Sequence, residues 1–239
     1  MNEAKYIAKV LQIIQETPKV KRLILGYPTK FPFAAGQFVT LYFPQFVDQN
    51  GFTIERSYSI AEYSEGKIDE FESIIEICFS LKIDGLITPF LWDLKEGDIL
   101  ESSGPKGDFI LRNSMDVDRI VFVCTGTGIV PFMAMISELI AEKYTGKIHL
   151  IAGNRFHSDT LYAQKIQDWV SANKVEVATV FSKQEDAALK GYVHQVYQSM
   201  DLQQAHVYVC GWSEMCTETR RNLKAMGLTR KQYFFEQYD

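Results

Sequence analysis

A chain of 239 residues has room for two modest domains or one large one, and 46% apolar with 23% charged residues is an ordinary globular balance. A net charge of −5 argues against nucleic acid as a partner, because phosphate binding needs a basic surface or a concentrated basic stripe. No apolar run is long enough to span a bilayer and the polar Met1–Tyr6 stretch lacks a signal-peptide core, so the expectation is a soluble cytoplasmic protein with no membrane partner.

From the N-terminus, Tyr6–Ile14, Val20–Gly26, Gln37–Phe43, Arg56–Ala61 and Phe71–Phe79 are runs of β-branched and aromatic residues that read as strands. Pro28, Pro32, Gly36, Pro44, Gly51 and Gly66 punctuate them. After Asp84, Leu86–Leu94 predicts a helical stretch, and Gly97-Asp98 a turn into a further strand, Ile99–Ser102. Short strands at this spacing predict a small antiparallel β-barrel. Past about residue 115 the rhythm changes. Strands Arg119–Cys124, Lys147–Ala152, Val175–Phe181 and His206–Cys210 alternate with helices near Pro131–Lys143, Asp159–Ala172, Val193–Met200 and Glu214–Met226. That alternation predicts βαβ units and a parallel sheet, with ligands at the carboxyl ends of its strands. The fold expected is therefore two-domain: an antiparallel β-barrel over residues 1–112 and an α/β parallel-sheet domain over residues 113–239, with the seam near Ile110–Asp118.

The four cysteines, Cys78, Cys124, Cys210 and Cys216, lack the spacing of an iron–sulfur ligand set, and a cytosolic setting predicts that they stay reduced. The histidines are equally dispersed, so no metal site is expected. Two stretches carry more specific chemistry. Thr125-Gly126-Thr127-Gly128 follows a buried strand and opens a helix, where glycines permit close ligand approach and free N–H groups can face a pyrophosphate. Read alone it is equally a simple strand-to-helix turn. Arg56-Ser57-Tyr58-Ser59 offers a guanidinium fork for phosphate, a flat ring face and a hydroxyl, although an alternating strand with an exposed arginine has the same pattern.

Taken together, the order Arg56-x-Tyr58-Ser59, Gly85-x-x-Thr88, Gly104-Pro105-Lys106-Gly107, Gly126-Thr127-Gly128-Ile129-x-Pro131, Cys210-Gly211 and Glu236-x-Tyr238 resembles the ferredoxin–NADP⁺ reductase family over nearly the whole chain. The resemblance implies a flavin-binding barrel followed by a nicotinamide-dinucleotide-binding domain. It places Arg56 at the flavin pyrophosphate, Tyr58 on the isoalloxazine and Ser59 near flavin N5, and counts Ser57 among the flavin-binding residues. Gly85 and Thr88 would hold the flavin phosphates, with Asp84 standing where the family has a first glycine. Gly104, Pro105 and Gly107 read as the turn that closes the barrel. Thr125, Gly126, Thr127 and Gly128 would meet the dinucleotide, together with Cys210 and Gly211 on the nicotinamide side. Tyr238 would cover the flavin face, although Asp239 extends the chain beyond the family's terminal tyrosine.

The mechanism so implied is hydride transfer between nicotinamide and flavin, followed by single-electron exchange with a ferredoxin or flavodoxin. Ser59, Cys210 and Glu236 are its catalytic residues, converging on the rings to fix their geometry. FAD rather than FMN is expected. Ser182, Lys183 and Lys190, with Asn154 and Arg155 from the preceding strand end, imply NADPH in preference to NADH through contacts to a 2′-phosphate. Basic residues at the N-terminus (Lys5, Lys9, Lys19, Lys21, Arg22 and Lys30) and near the C-terminal helix (Arg220, Arg221, Lys224, Arg230 and Lys231) could steer an acidic partner or be solvated faces. The protein is expected to be a monomer. Competing readings are the NADH-dependent reductase component of a multicomponent oxygenase, a free flavin reductase, and a non-catalytic regulatory subunit that senses flavin or redox state.

Overall fold

The computed structural model describes residues 5–112 and 116–238, without the side chains of Lys67 and Ile68. Asn113–Met115, inside the expected seam, and the terminal Asp239 lie outside the described residues. The chain divides into two compact units, one ending at Ile110 and one beginning at Leu111.

Among the described residues of the first unit, six antiparallel strands close into a barrel: β1 (Tyr6–Thr17), β2 (Val20–Tyr27), β3 (Phe38–Val47), β4 (Thr53–Ile68), β5 (Phe71–Ser80) and β6 (Ile99–Lys106). Their spatial order is β1-β2-β5-β4-β3-β6, with β6 returning to β1, so the barrel has no free edge. Alternation puts Leu23, Leu25, Leu41, Ile60, Ile75 and Ile77 inside at 1% exposure or less, which is the period-2 logic that the strand runs predicted. A helix, α1 (Ile87–Trp92), adds Ile87 and Leu91 to the same core. It is shorter than the helix expected over Leu86–Leu94.

Gly104 and Pro105 lie inside β6 and not in a closing turn, which corrects the expectation. They face a register shift between Phe38 and Thr40 of β3, so the Gly-Pro pair is absorbed by a bulge that bends the strand. Gly107, just past β6, packs where a side chain would strike the ring of Phe38.

The second unit is built on a parallel sheet of β7 (Arg119–Thr125), β8 (Lys147–Asn154), β9 (Glu176–Phe181), β10 (Ala205–Trp212) and β11 (Tyr233–Tyr238), in the order β11-β10-β7-β8-β9. The apolar run of β7 is buried because helices cover both faces of such a sheet. α2 (Val130–Ala141) starts at Pro131 in its first turn, where a missing N–H costs nothing, and its Phe132, Met133, Met135, Ile136 and Leu139 are fully buried. α3 (Ala163–Ser171) and α5 (Ser213–Ala225) follow the expected alternation. The helix expected near Val193–Met200 shrinks to one α-turn, α4 (His194–Tyr197), because neighbouring hydrogen bonds there span three residues, as in Val196 N–H to Val193 O and Met200 N–H to Tyr197 O. β11 was not expected as a strand at all. No helix among the described residues is long and apolar enough to cross a membrane.

Candidate functional site

The sheet order reverses at β7, since the chain runs outward through β8 and β9 and then returns to lay β10 on β7's other side. Ligands on open α/β sheets bind at the carboxyl ends of strands at such a switch point. Here those ends are Thr125-Gly126-Thr127-Gly128 after β7 and Cys210-Gly211-Trp212 closing β10. The two segments touch. A Cβ on Gly128 would fall against the Cys210 carbonyl, 2.6 Å from its carbon and 2.8 Å from Gly211 Cα, so only glycine lets the first turn of Gly126–Ile129 close onto β10. The Trp212 N–H donates to Thr125 Oγ1 at 3.3 Å, tying the segments from the other side. Gly126 differs from Gly128. Its φ is +53°, and a Cβ there would meet no atom within 4 Å. The turn thus presents bare backbone to open space, which is what a pyrophosphate cradle requires.

β11 brings the expected catalytic acid to the expected catalytic thiol. Its parallel register pairs Glu236 with Cys210, Gln237 with Gly211 and Tyr238 with Trp212. Across β10, Cys210 also pairs with Cys124 of β7. Cys210 is fully buried, and burial pushes its thiol well above the ordinary value; the Glu236 carboxylate pushes the same way, while a side-chain hydrogen bond with Tyr238 opposes them. At neutral pH it is a protonated, hydrogen-bonding group and not a nucleophile. Cys216, on the first turns of α5, donates to the carbonyls of Gly211 and Glu236 at 3.6 Å each, and burial raises its thiol to about 11.

On the opposite side of the turn, the β8–β9 ladder continues past the strands, with Ser182 N–H to Asn154 O at 2.9 Å and Lys183 N–H to Arg155 O at 3.0 Å. Asn154, Arg155, Ser182 and Lys183 therefore share one strand-end cluster, and Lys190 joins it by bridging to Phe181. Arg155 is held by Asp159 at 3.2 Å. Sequence reasoning missed the acids here: Glu185 and Asp186 line the same surface hollow as Lys183. It also missed Tyr192, two residues past Lys190, whose ring is 63% exposed and stacked on His194 at 5.8 Å.

In the barrel, β3 and β4 pair Leu41 with Arg56, Thr40 with Ser57, Val39 with Tyr58 and Phe38 with Ser59. Arg56 and Tyr58 consequently share one face of β4, and Ser57 and Ser59 the other. Arg56 is exposed, with Nη1 donating to its neighbour Glu55 O at 2.7 Å. Tyr58 is half-buried edge-on to Phe79, and burial raises its phenol although Arg56 lowers it. The Ser57 hydroxyl lies 3.3 Å from that of Thr40, and Ser59 is buried. In the next loop Gly85 N–H donates to Lys82 O, and the Thr88 hydroxyl accepts from Lys82 N–H at 2.9 Å and donates to Lys82 O at 3.1 Å. Thr88's donor is thus committed to fastening the 82–88 loop.

Most of the N-terminal basic residues named above are engaged by partners within the barrel. Lys5 pairs with Glu101, Lys9 with Glu70, and Arg22 with both Glu16 and Glu76, while Lys21 donates to Trp92 O. In the other cluster, Arg220 lies over the Phe235 ring at 4.6 Å and Arg230 over Tyr233 at 5.7 Å.

Comparison with known proteins agrees with this division of labour. A family model described as an oxidoreductase FAD-binding domain matches residues 8–110, and one described as an oxidoreductase NAD-binding domain matches residues 122–221. The CDP-6-deoxy-L-threo-D-glycero-4-hexulose-3-dehydrase reductase of Yersinia pestis is 28% identical over 95% of this chain and 66% of its own length. The phenol 2-monooxygenase reductase component DmpP of Pseudomonas sp. strain CF600 is 27% identical over 98% of this chain and 65% of its own. The chain thus spans slightly less than two thirds of the length of both relatives. A solved ferredoxin NADP⁺ reductase from Neisseria gonorrhoeae with bound FAD and NADP superposes with a TM-score of 0.80 at 22% identity, covering 98% of each chain, a likeness of fold.

Proposed function

The chain belongs to the ferredoxin–NADP⁺ reductase family of flavoprotein oxidoreductases, and from that membership we propose that it moves electrons from NADPH through bound FAD to a ferredoxin or flavodoxin. The observation that carries this reading is the bare Gly126 turn set against Cys210-Gly211, with Glu236 held beside Cys210 by strand pairing. Exposed Arg56 and the ring of Tyr58, on one face of β4, fit a phosphate-bearing flat-ring cofactor on the barrel. A bound flavin supplies the redox chemistry, because it can take a hydride from reduced nicotinamide and release electrons singly.

The protein's own work is to bind and orient. Arg56 neutralises the flavin phosphate, Ser57 and Ser59 offer hydroxyls, and Tyr58 offers its ring. Gly85 and Thr88 shape the loop beside the flavin phosphate, the Gly85 N–H closing onto Lys82 O and the Thr88 hydroxyl holding the loop shut. Thr125, Gly126, Thr127 and Gly128 receive the dinucleotide pyrophosphate on main-chain N–H groups, while Asn154, Arg155, Ser182, Lys183 and Lys190 receive the adenosine half, with Tyr192 offering a face to adenine. The Cys210 thiol and the Glu236 carboxylate line the nicotinamide side, and Tyr238 anchors that thiol through its hydrogen bond. Glu185 and Asp186 beside Lys183 repel a 2′-phosphate, so the preference for NADPH is modest.

The test is an absorption spectrum of the purified protein followed by anaerobic titration with NADPH and NADH. Flavin bands that bleach with NADPH at the lower concentration are expected. A protein without flavin absorbance that takes up none when FAD is added, or one whose flavin neither dinucleotide reduces, would overturn the reading.

A further inference from the structure

Trp212 is 68% exposed, although it closes a strand whose residues Ala205–Gly211 are almost entirely buried. Its main chain is not free to wander. The N–H is bonded to Thr125 Oγ1, the residue is paired with Tyr238 on β11, and Gly211 before it packs against Thr125. A large apolar ring is therefore presented to solvent from a fixed backbone, one strand spacing of about 4.8 Å from the Gly126 turn. Sheet order says which half of a bound dinucleotide it faces. The cationic cluster of Lys183 and Lys190 lies on the β9 side of that turn, and Trp212 lies on the β10 side with Cys210 and Glu236. With the pyrophosphate over β7 and the adenosine half over β8 and β9, the nicotinamide half falls toward β10.

We propose that Trp212 is a binding residue for the nicotinamide end and that it discriminates between the redox states of the cofactor. The inference rests on the reading of this unit as a dinucleotide site. The oxidised nicotinamide ring carries a positive charge and the reduced ring does not. An indole face attracts a cation more strongly than a neutral ring, and tryptophan is the best of the aromatic side chains for this. The indole therefore holds NADP⁺ more tightly than NADPH. It sets how much of the enzyme is occupied by its oxidised dinucleotide, and so how strongly that product inhibits turnover.

The experiment measures dissociation constants of the flavin-loaded protein for NADP⁺ and for tetrahydro-NADPH, a reduced analogue that does not react, in wild type, Trp212→Phe and Trp212→Ala. Alanine should weaken NADP⁺ by about 5-fold to 30-fold and the reduced analogue by less than about 3-fold, with phenylalanine between. Intrinsic fluorescence gives a second readout: quenching by NADP⁺ should largely vanish in Trp212→Phe, where Trp92 and Trp169 remain. Equal losses for both redox forms would overturn the discrimination, and unchanged affinities in both variants would overturn the contact. If wild type binds neither form, the functional reading itself falls; if it binds both and the variants do not differ from it, only the role of Trp212 does.

Discussion

Two alanine substitutions two residues apart, at Gly128 and Gly126, should separate the folding of the dinucleotide turn from its binding surface. At Gly128 the new methyl meets the Cys210 carbonyl and Gly211 Cα, all main-chain atoms within a paired parallel strand. Neither can yield as a side-chain tip would. Overpacking a closed interior typically costs about 1–3 kcal/mol, and contact with backbone belongs at or above the upper end. At about 3–5 °C per kcal/mol for a unit of this size, the melting temperature should fall by on the order of 10 °C or more. Gly126→Ala meets no atom. It bears only the left-handed strain of about 1–2 kcal/mol, offset by about 0.4–1 kcal/mol of lost unfolded-state freedom. Its melting temperature should move by no more than about 8 °C, yet its affinity for NADP⁺ should drop because the methyl occupies the surface the pyrophosphate approaches. Thermal denaturation and calorimetric titration of both variants decide the matter. A Gly128→Ala protein that melts with wild type, or a Gly126→Ala protein that binds NADP⁺ unchanged, would refute the assignment of the two glycines.

Three further outcomes are expected. Arg56→Ala should lose a charge-assisted phosphate contact of about 1.5–3 kcal/mol and weaken FAD roughly 10-fold to 150-fold in titrations of the apoprotein. Cys210→Ala and Glu236→Gln should slow flavin reduction in stopped-flow traces while leaving the bound-flavin spectrum nearly intact; because burial holds the Cys210 thiol high, the wild-type rate should show no thiol ionisation below about pH 9. Lys183→Glu with Lys190→Ala should depress kcat/KM for NADPH and spare NADH. The wild-type preference is expected at only about 2-fold to 30-fold, from two exposed pairs of about 0.2–1 kcal/mol each, and should shrink as salt rises.

What the sequence made legible were features carried by local pattern. The unbroken apolar run Ile120–Cys124 followed by Gly126 and Gly128 announces a buried strand and its ligand-facing turn, because burial and backbone freedom are both written in adjacent residues. The barrel strands declare themselves by alternation in the same way. Features that depend on partners distant in sequence do not. Lys5 looks like a free cation until Glu101, 96 residues on, is found across the β1–β6 pairing. Gly104-Pro105 is a turn-marking dipeptide, yet tertiary register turns it into a bulge. Glu185 and Asp186 read as unremarkable loop acids until folding sets them in one hollow with Lys183. Trp212 and Tyr192 are single rings with no periodicity behind them, so nothing marks them before their exposure is known.

The terminal strand β11 has a consequence for how the site acquires its acid. Side chains on a strand alternate faces, so sliding β11 by one residue would set Gln237 opposite Cys210 and turn Glu236 and Tyr238 to the other side of the sheet. What forbids the slide is a clasp at the far end of the strand. The Gln232 carbonyl accepts from Val207 N–H at 2.8 Å, while its side chain donates to Gln203 O at 2.7 Å and accepts from Thr229 N–H at 2.9 Å. Those bonds index the strand like the stop on a ruler, so the choice between a carboxylate and an amide beside the thiol is made four residues away, by a side chain that never approaches the chemistry.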